Sequence, residues 1–321
     1  MRTMQVTRFG GPEVLQPVDA PEVAPGPDEL LVDVAVAEVL FLDTQLRAGW
    51  GSDYFPLTPP FVPGGGVAGT VAAVGPGVDA AWIGKRVIAS TSGAHEYNGG
   101  GYAERAAVPA SGVHEVPGGL DLRHAIAALS DGVMGVSRVQ KAGLGAGDTA
   151  LVTAAGGAIA SWLVPLLKRD GVTVIAAASS ESKRSLAAER GADALLDYSQ
   201  DGWVEGCDRE VDAVFDGAGG AIGTAAFTML RRGGRFFAYG ASAGDFADVD
   251  TNAAARDVEV VGLHEDFPVD AMYRAAETAL RLLADGVVKP VIGQVVPLER
   301  AAEAHAAIAA RTVAGKTLLT P

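Results

Sequence analysis

The sequence predicts an α/β protein in which a β-rich amino-terminal part precedes a doubly wound parallel sheet. Residues 1 to about 120 are rich in Val, interrupted by Pro and Gly, and contain no long amphipathic helical pattern. From about residue 121, short apolar segments alternate with helical ones, as is typical of a parallel sheet covered by helices on both faces. The length of 321 residues is sufficient for two domains.

The predicted elements follow in order along the chain. Val-rich segments separated by turn signals predict amino-terminal strands at 30–36, 69–75 and 86–90. A helical pattern at 122–143 precedes strands at 149–153, 172–177, 194–196, 211–215, 235–239 and 259–262 and helices at 159–168, 181–190 and 222–230. A helix at 270–284 and a strand at 316–319 close the chain. This order predicts a dinucleotide-binding domain at 123–262 between a β domain at 1–122 and a returning carboxyl-terminal segment at 263–321.

Charge and composition argue against several function classes. The chain carries 25 Lys and Arg against 39 Asp and Glu, a formal net charge of −14, which repels nucleic acid and anionic lipid. Its single cysteine, Cys207, cannot form an internal disulfide or a multi-cysteine zinc site. The first residues lack the apolar core of a signal peptide, and no uninterrupted run of about 18 apolar residues follows. We therefore expect a soluble, cytoplasmic protein.

A glycine-bearing turn, AAGGAIA at 154–160, follows the first strand of the second part. Dinucleotide-binding folds place small residues at the spacing of Ala154, Gly157 and Ala160, so that the turn is tight and the backbone approaches a pyrophosphate. Backbone N–H groups at the start of the following helix would then face an anion. The alternative is that this turn serves only to pack the strand against the helix.

The end of the second strand indicates which nucleotide would bind. NAD sites usually have an acidic side chain there for the ribose 2′-hydroxyl, but this chain has Ala178, Ser179 and Ser180, followed by Lys183. Two hydroxyls and a cation suit the 2′-phosphate of NADPH. The alternative is that one serine only caps the next helix and that Lys183 is a surface charge.

Glycine-rich and charged motifs recur in a fixed order along nearly the whole chain. They are FVPGGGVAG (61–69), VGPGV (74–78), GKRV (84–87), GGGYAE (99–104), GDTALV (147–152), VDAVFDGAGG (211–220) and PLERAAEAH (297–305). This order and spacing resemble the medium-chain dehydrogenase/reductase superfamily, specifically its zinc-independent quinone oxidoreductase-like branch. The resemblance implies a GroES-like β domain plus a Rossmann doubly wound parallel-sheet nucleotide-binding domain, with the nicotinamide of NADPH in the cleft between them.

The resemblance also implies roles for individual residues. In relatives, residues that match Lys183 and Tyr198 contact the 2′-phosphate, and one that matches Arg311 lies near the cofactor; Tyr198 could equally be a half-buried tyrosine at a strand end. Relatives often form homodimers by joining Rossmann sheets at their edges, here 235–239 and 259–261. The predicted cofactor-binding residues are Ala155, Gly156, Gly157, Ala158, Ile159, Ser179, Ser180, Lys183, Tyr198, Gly217, Tyr239, Gly240 and Arg311.

The predicted catalytic residues, Asp43, Thr44 and Tyr54, lie in or near a segment at 40–47 that we interpret as a loop. Donors there would polarise the carbonyl of an acceptor, a quinone or an α,β-unsaturated carbonyl, as NADPH supplies hydride. Tyr54 lies near the position of a tyrosine in enoyl-reducing relatives. Two alternatives stay open: an aromatic wall of Trp50, Tyr54 and Phe55, and an ion pair between Asp43 and Arg47 four residues apart.

No metal site is expected. Zinc-binding relatives need a Cys/His/carboxylate set and four further cysteines, which one cysteine cannot supply. His95 and Glu96 are a lone pair in a Gly/Asn-rich segment, more typical of a surface turn than of a zinc site.

The chain also departs from the pattern of many relatives. Leu40 stands in place of Asn, Gly66 in place of an acid and Met134 in place of Thr, while Ala158 and Ala160 replace the usual glycines of the turn. Pro165 also lies in the next helix. Two functions therefore stay open: an NADPH-dependent reductase of quinones or enones, and a redox-silent descendant that binds, cyclises or isomerises its substrate.

Overall fold

The fold is described here from a computed structural model, for residues 1–51, 55–91, 99–263 and 268–321, with backbone only at 250–252. The chain divides into two units. Unit 1 comprises Met1–Ser130, Ala276–Asp285 and Pro290–Pro321, and unit 2 comprises Asp131–Ala275 and Gly286–Lys289. The domain boundaries predicted at 122/123 and 262/263 stay predictions. None of the described helices is long and apolar enough to cross a membrane.

Unit 1 is built around an antiparallel sheet. Its strands are β1 (Arg2–Val6), β2 (Leu15–Asp19), β3 (Glu29–Val39), β4 (Gly66–Val74), β5 (Arg86–Ser90), β6 (Arg105–Pro109), β7 (Val113–Glu115), β14 (Ile292–Pro297) and β15 (Lys316–Thr320). The main sheet has the order β14-β15-β3-β4-β5-β7, with β6 also paired to β3, while β1 and β2 form a separate pair. Only the β14–β15 pairing of the described sheet is parallel. Alternate residues of β3 and β4 point into an apolar core, which explains their Val-rich sequences.

Unit 2 contains a six-stranded parallel sheet. Its strands are β8 (Thr149–Val152), β9 (Thr173–Ala178), β10 (Ala194–Asp197), β11 (Val211–Asp216), β12 (Leu230–Ala238) and β13 (Glu259–Val261). Their order is β10-β9-β8-β11-β12-β13, with every pairing parallel. This is the doubly wound Rossmann order, in which the direction of winding reverses between β8 and β11. Ligands of such sheets bind outside the carboxyl ends of the strands at that point.

The helices complete both units. They are α1 (Phe41–Ala48), α2 (Leu122–Ala125), α3 (Ser130–Ala142), α4 (Ala160–Arg169), α5 (Glu181–Glu189), α6 (Gly220–Thr228), α7 (Asp250–Ala255), α8 (Val269–Ala284) and α9 (Ala301–Ala309). The predicted α/β fold class, with a GroES-like β domain and a Rossmann domain, is thereby confirmed. Each strand that the sequence predicts between 149 and 262 is present, within three residues at its carboxyl end.

The segment at 40–47 was predicted as a loop, and this prediction is wrong because the segment forms α1. The Leu40 N–H donates to the Asp43 carboxylate at 2.8 Å and so satisfies a backbone donor at the start of the helix. The Thr44 hydroxyl donates to the Phe41 carbonyl within the first turn. Gly49, with a left-handed φ of 91°, ends the helix.

Candidate functional site

A buried threonine–aspartate pair joins two loops at the carboxyl edge of the parallel sheet. Thr153 follows β8 and Asp216 ends β11, and both side chains are fully buried. The Thr153 hydroxyl donates to Asp216 Oδ1 at 2.6 Å, and the N–H groups of Ala218 and Gly219 donate to the same oxygen at 3.1 Å. Burial raises the pKa of Asp216, and these hydrogen bonds oppose that rise. The pair therefore fixes the loop after β11 against the loop after β8.

The glycine turn at 154–160 closes through its own backbone. The Gly157 N–H donates to the Ala154 carbonyl at 2.8 Å, and the Ala155 N–H donates to Ala177 of the neighbouring strand at 3.0 Å. Ala154 adopts a left-handed φ of 49°, whereas Ala158 and Ala160 do not have positive φ values. Alanine at these two positions is therefore compatible with the backbone of the turn.

Lys183 lies against this turn. Ser180 caps α5, since its hydroxyl accepts from the Lys183 N–H at 3.4 Å. The stem of Lys183 covers Gly156, where an added Cβ would lie 2.6 Å from Lys183 Cγ. The structure thus brings together two predicted cofactor segments that are 27 positions apart in the sequence (183 − 156). The capping alternative for Ser180 is observed, and its predicted contact with a phosphate stays a prediction, as does that of the exposed Ser179.

Two further predicted contacts lie at the end of β10 and in unit 1. Tyr198 is half-buried and packs edge-to-face on Trp203, with ring centroids 6.2 Å apart. The neighbouring Asp197 pairs with Arg184 at 2.9 Å. Arg311 lies in unit 1, exposed, just after α9. Their roles toward a cofactor stay predictions.

Gly217, Tyr239 and Gly240 form a close backbone approach between the ends of β11 and β12. The N–H groups of Tyr239 and Gly240 both donate to the Asp216 carbonyl at 3.1 Å. A Cβ on Gly217 would lie 2.9 Å from Tyr239 Oη, and one on Gly240 would collide with the Gly217 carbonyl. Burial raises the pKa of Tyr239, so its phenol is neutral. Only glycine fits at position 240, whereas a side chain at position 217 would require the ring of Tyr239 to move.

The predicted catalytic residues Asp43 and Thr44 are buried in unit 1, and Tyr54 lies outside the described residues. His95 and Glu96 also lie outside them. The predicted helical ion pair of Asp43 with Arg47 is not formed between these two described residues, because each binds other groups. This geometry favours a positioning role for Asp43 and Thr44 over direct contact with a substrate, and their catalytic roles stay predictions.

Asp43 ends a chain of buried polar side chains that the sequence reasoning missed. Its carboxylate lies 3.2 Å from Tyr102 Oη, which lies 2.9 Å from His305 Nε2, and His305 Nδ1 lies 3.3 Å from Arg47. Burial raises the pKa of Asp43 to about 7 and lowers the pKa of His305 to about 3. Tyr102 and His305 belong to the motifs GGGYAE and PLERAAEAH, which are the sequence signal that could have identified them.

A second buried carboxylate explains the departure at Gly66. Glu38 pairs with Lys316 of β15 at 2.6 Å and accepts from the Ser130 hydroxyl at 2.6 Å. A Cβ on Gly66 would lie 2.6 Å from Glu38 Oε1 and 2.9 Å from Leu129 Cδ1. Glu38 therefore occupies the space that a side chain at position 66 would need.

Among the described residues, no group of three or more His, Cys, Asp or Glu side chains is placed to hold a metal ion. Cys207 lies in unit 2, after a single 3-10 turn.

Comparison with known proteins gives consistent matches. Two family models match the chain: "Alcohol dehydrogenase GroES-like domain" at residues 26–118 and "Zinc-binding dehydrogenase" at residues 190–319. A probable quinone oxidoreductase of Schizosaccharomyces pombe is 30% identical, covering 98% of this chain and 96% of its own. A mycobacterial protein in complex with NADPH is 32% identical, with a TM-score of 0.88 over all of both chains. A solved NAD-dependent alcohol dehydrogenase is 30% identical, with a TM-score of 0.87 over all of both chains.

The left-handed alanine of the turn gives a first prediction. We expect Ala154→Gly to raise the free energy of unfolding by about 0.5–1 kcal/mol, because glycine removes the strain of a positive φ. The matched control, Ala158→Gly, has no such strain to remove and should lower the free energy of unfolding by about 0.5–1 kcal/mol. Urea denaturation of both variants measures the difference. Equal effects would contradict the assignment of strain to Ala154.

The buried ion pair of Glu38 with Lys316 gives a second prediction. Gly66→Glu should destabilise unit 1 by about 3 kcal/mol or more, because it places a second carboxylate against Glu38. Glu38→Gly should cost about 3–5 kcal/mol, because Lys316 loses its partner.

The double variant tests whether the two positions share one carboxylate site. A carboxylate carried at position 66 in place of Glu38 can still pair with Lys316, so we expect a favourable coupling of about 2 kcal/mol or more. The measurement is a double-mutant cycle by chemical denaturation. Strictly additive losses would show that Glu38 does not fill the space beside Gly66.

Proposed function

The chain belongs to the quinone oxidoreductase-like branch of the medium-chain dehydrogenase/reductase superfamily, and on this premise we propose that it is a zinc-independent, NADPH-dependent reductase of quinones or α,β-unsaturated carbonyls. The observation that carries the proposal is the contact of Lys183 with Gly156. It brings a cation from the first turn of α5 beside the turn that would hold a pyrophosphate.

The residues at the carboxyl edge fit a nicotinamide dinucleotide. The turn at 154–160 has Gly156 where a side chain would collide with the stem of Lys183, and α4 begins at the last residue of the turn. Ala178 ends β9 and Ser179 follows it, so the position at which NAD sites carry an acid is not acidic, and the next carboxylate along the chain, Glu181, is exposed in the first turn of α5. The mycobacterial relative solved with NADPH supports the same choice, while the NAD-dependent relative makes NADH the competing outcome of the test.

The metal-ligating side chains available in the sequence support chemistry without zinc. The "zinc-binding" description belongs to the matched family model, whereas this chain has one cysteine in 321 residues. When bound, NADPH supplies a hydride from the nicotinamide. Without a strong Lewis acid, the acceptor must itself be electrophilic, which fits a quinone or a conjugated carbonyl. Hydride addition plus one proton from solvent gives the hydroquinone or the saturated carbonyl.

We also expect a homodimer. Strand β13 is the last strand of the parallel sheet and pairs only with β12 among the described residues. A short edge strand of this kind can continue the sheet into a second copy. The segment at 235–239 was also predicted as an edge, and this is wrong because β12 pairs on both sides, with β11 and with β13. Light scattering on the purified protein measures its mass directly.

The activity is tested in two steps. Fluorescence titration measures NADPH binding, and loss of NADPH absorbance is then followed with a benzoquinone and with a simple enone. The proposal expects binding and turnover of at least one acceptor. Absence of binding at about 1 mM NADPH would contradict it. Binding without turnover of either acceptor class would favour the redox-silent alternative.

The cofactor preference gives a third prediction. Lys183→Glu should weaken NADPH binding about tenfold or more and leave NADH binding within about twofold, because only NADPH carries the 2′-phosphate. Lys289→Glu is the matched control, since it makes the same charge change at an exposed position of unit 2. Isothermal titration of both variants with both nucleotides provides the comparison. Equal losses for NADPH and NADH would mean that Lys183 does not contact the phosphate.

A further inference from the structure

Helix α1 has an unusual distribution of side chains. Its buried residues are Asp43, Thr44 and Arg47, whereas the aromatic Phe41 is 37% exposed. A surface helix normally buries its apolar face, and buried charges are costly unless they are paired. Groups outside α1 must therefore compensate its buried polar face.

Those groups form a hydrogen-bond chain with a single direction. The Arg47 guanidinium can only donate, so Nδ1 of the neutral His305 accepts at 3.3 Å. The imidazole proton then lies on Nε2, which donates to Tyr102 Oη at 2.9 Å. The Tyr102 hydroxyl in turn donates to Asp43 Oδ2 at 3.2 Å. A neutral His305 gives every link one donor and one acceptor, and an ionised Asp43 makes the last link a charge-assisted hydrogen bond.

The carboxylate at the end of this chain binds backbone. Asp43 accepts from the N–H of Leu40 at 2.8 Å, and the nearby backbone of Gly64 also lowers the pKa of Asp43. Leu40 is the residue at which β3 gives way to α1, and Gly64 belongs to the glycine segment before β4. The hydrogen-bond chain thus connects α1 to Tyr102 and His305, which lie about 60 and 260 positions away in the sequence.

We propose that Tyr102 and His305 are positioning residues of the reductase, which with Arg47 orient the Asp43 carboxylate and thereby fix Leu40 and Gly64 beside the acceptor. The inference rests on the proposed function, because it assigns the segment at 40–48 to acceptor binding. Packing alone would not need this arrangement, since apolar residues of similar volume often replace buried ionic groups at no cost in stability. A directed chain instead specifies one orientation of the carboxylate.

Protonation of Asp43 would weaken the last link, because the Tyr102 hydroxyl would then donate to a neutral acid instead of an anion. The ionisable groups that face Asp43 are Glu38 from β3 and Tyr102, with His305 from α9 and Arg47 beyond Tyr102. Glu38 raises the pKa of Asp43 and Tyr102 lowers it. The kcat/KM for the acceptor should therefore rise as the pH increases through about 7, the pKa of Asp43.

The test is Tyr102→Phe, which keeps the ring and removes the hydroxyl. We expect kcat/KM for a quinone to fall about tenfold, with the KM for NADPH unchanged within about twofold. The rising limb of kcat/KM against pH should move to higher pH, because Asp43 loses a hydrogen bond that lowers its pKa. The control is Thr3→Val, which removes one buried hydrogen bond of the same unit, from Thr3 to the Val18 carbonyl.

A second readout does not depend on turnover. Carbon-13 NMR titration of labelled Asp carboxyls should show a higher pKa for Asp43 in Tyr102→Phe than in Thr3→Val. If the wild-type protein reduces no acceptor, the proposed function fails. The NMR titration still decides whether the hydrogen-bond chain through Tyr102 sets the pKa of Asp43. A Tyr102→Phe variant that matches Thr3→Val in kcat/KM, pH limb and NMR titration would overturn the positioning role.

Discussion

The buried Asp216 is the residue on which the nucleotide-binding half depends. Its carboxylate binds Thr153 after β8 and the N–H groups that follow β11, while its carbonyl accepts from Tyr239 and Gly240 after β12. One residue thereby sets the separation of three loops at the carboxyl edge of the sheet. A buried carboxylate without these donors would be strongly unfavourable, so the loops and the charge stabilise each other.

The glycines near this edge serve close approach rather than flexibility. Gly240 leaves room for the backbone of Gly217, Gly217 leaves room for the ring of Tyr239, and Gly156 leaves room for the stem of Lys183. In unit 1, Gly66 likewise leaves room for Glu38. In each case, the absence of a side chain at the glycine makes room for a group that belongs to another part of the chain.

The sequence predicts the fold well because alternating strands and helices leave a strong periodic signal. It fails at α1, whose buried face is polar and whose first turn is stabilised by Asp43, so the usual apolar stripe is absent. The chain through Tyr102 and His305 could not be predicted, because it joins residues 203 positions apart. The same holds for Glu38 and Lys316, which meet only because β3 pairs with β15. Local sequence patterns predict the fold, whereas these polar contacts depend on pairing between segments that are far apart in the sequence.

The turn at 154–160 and Lys183 are proposed to bind together a nucleotide that carries a 2′-phosphate. Calorimetric titration of the wild-type protein with 2′,5′-ADP and with 5′-AMP tests this binding most directly, because these fragments differ only in that phosphate. We expect 2′,5′-ADP to bind at least about tenfold more tightly, as a charge-assisted contact to a phosphate would provide. Equal affinity for the two fragments would contradict it.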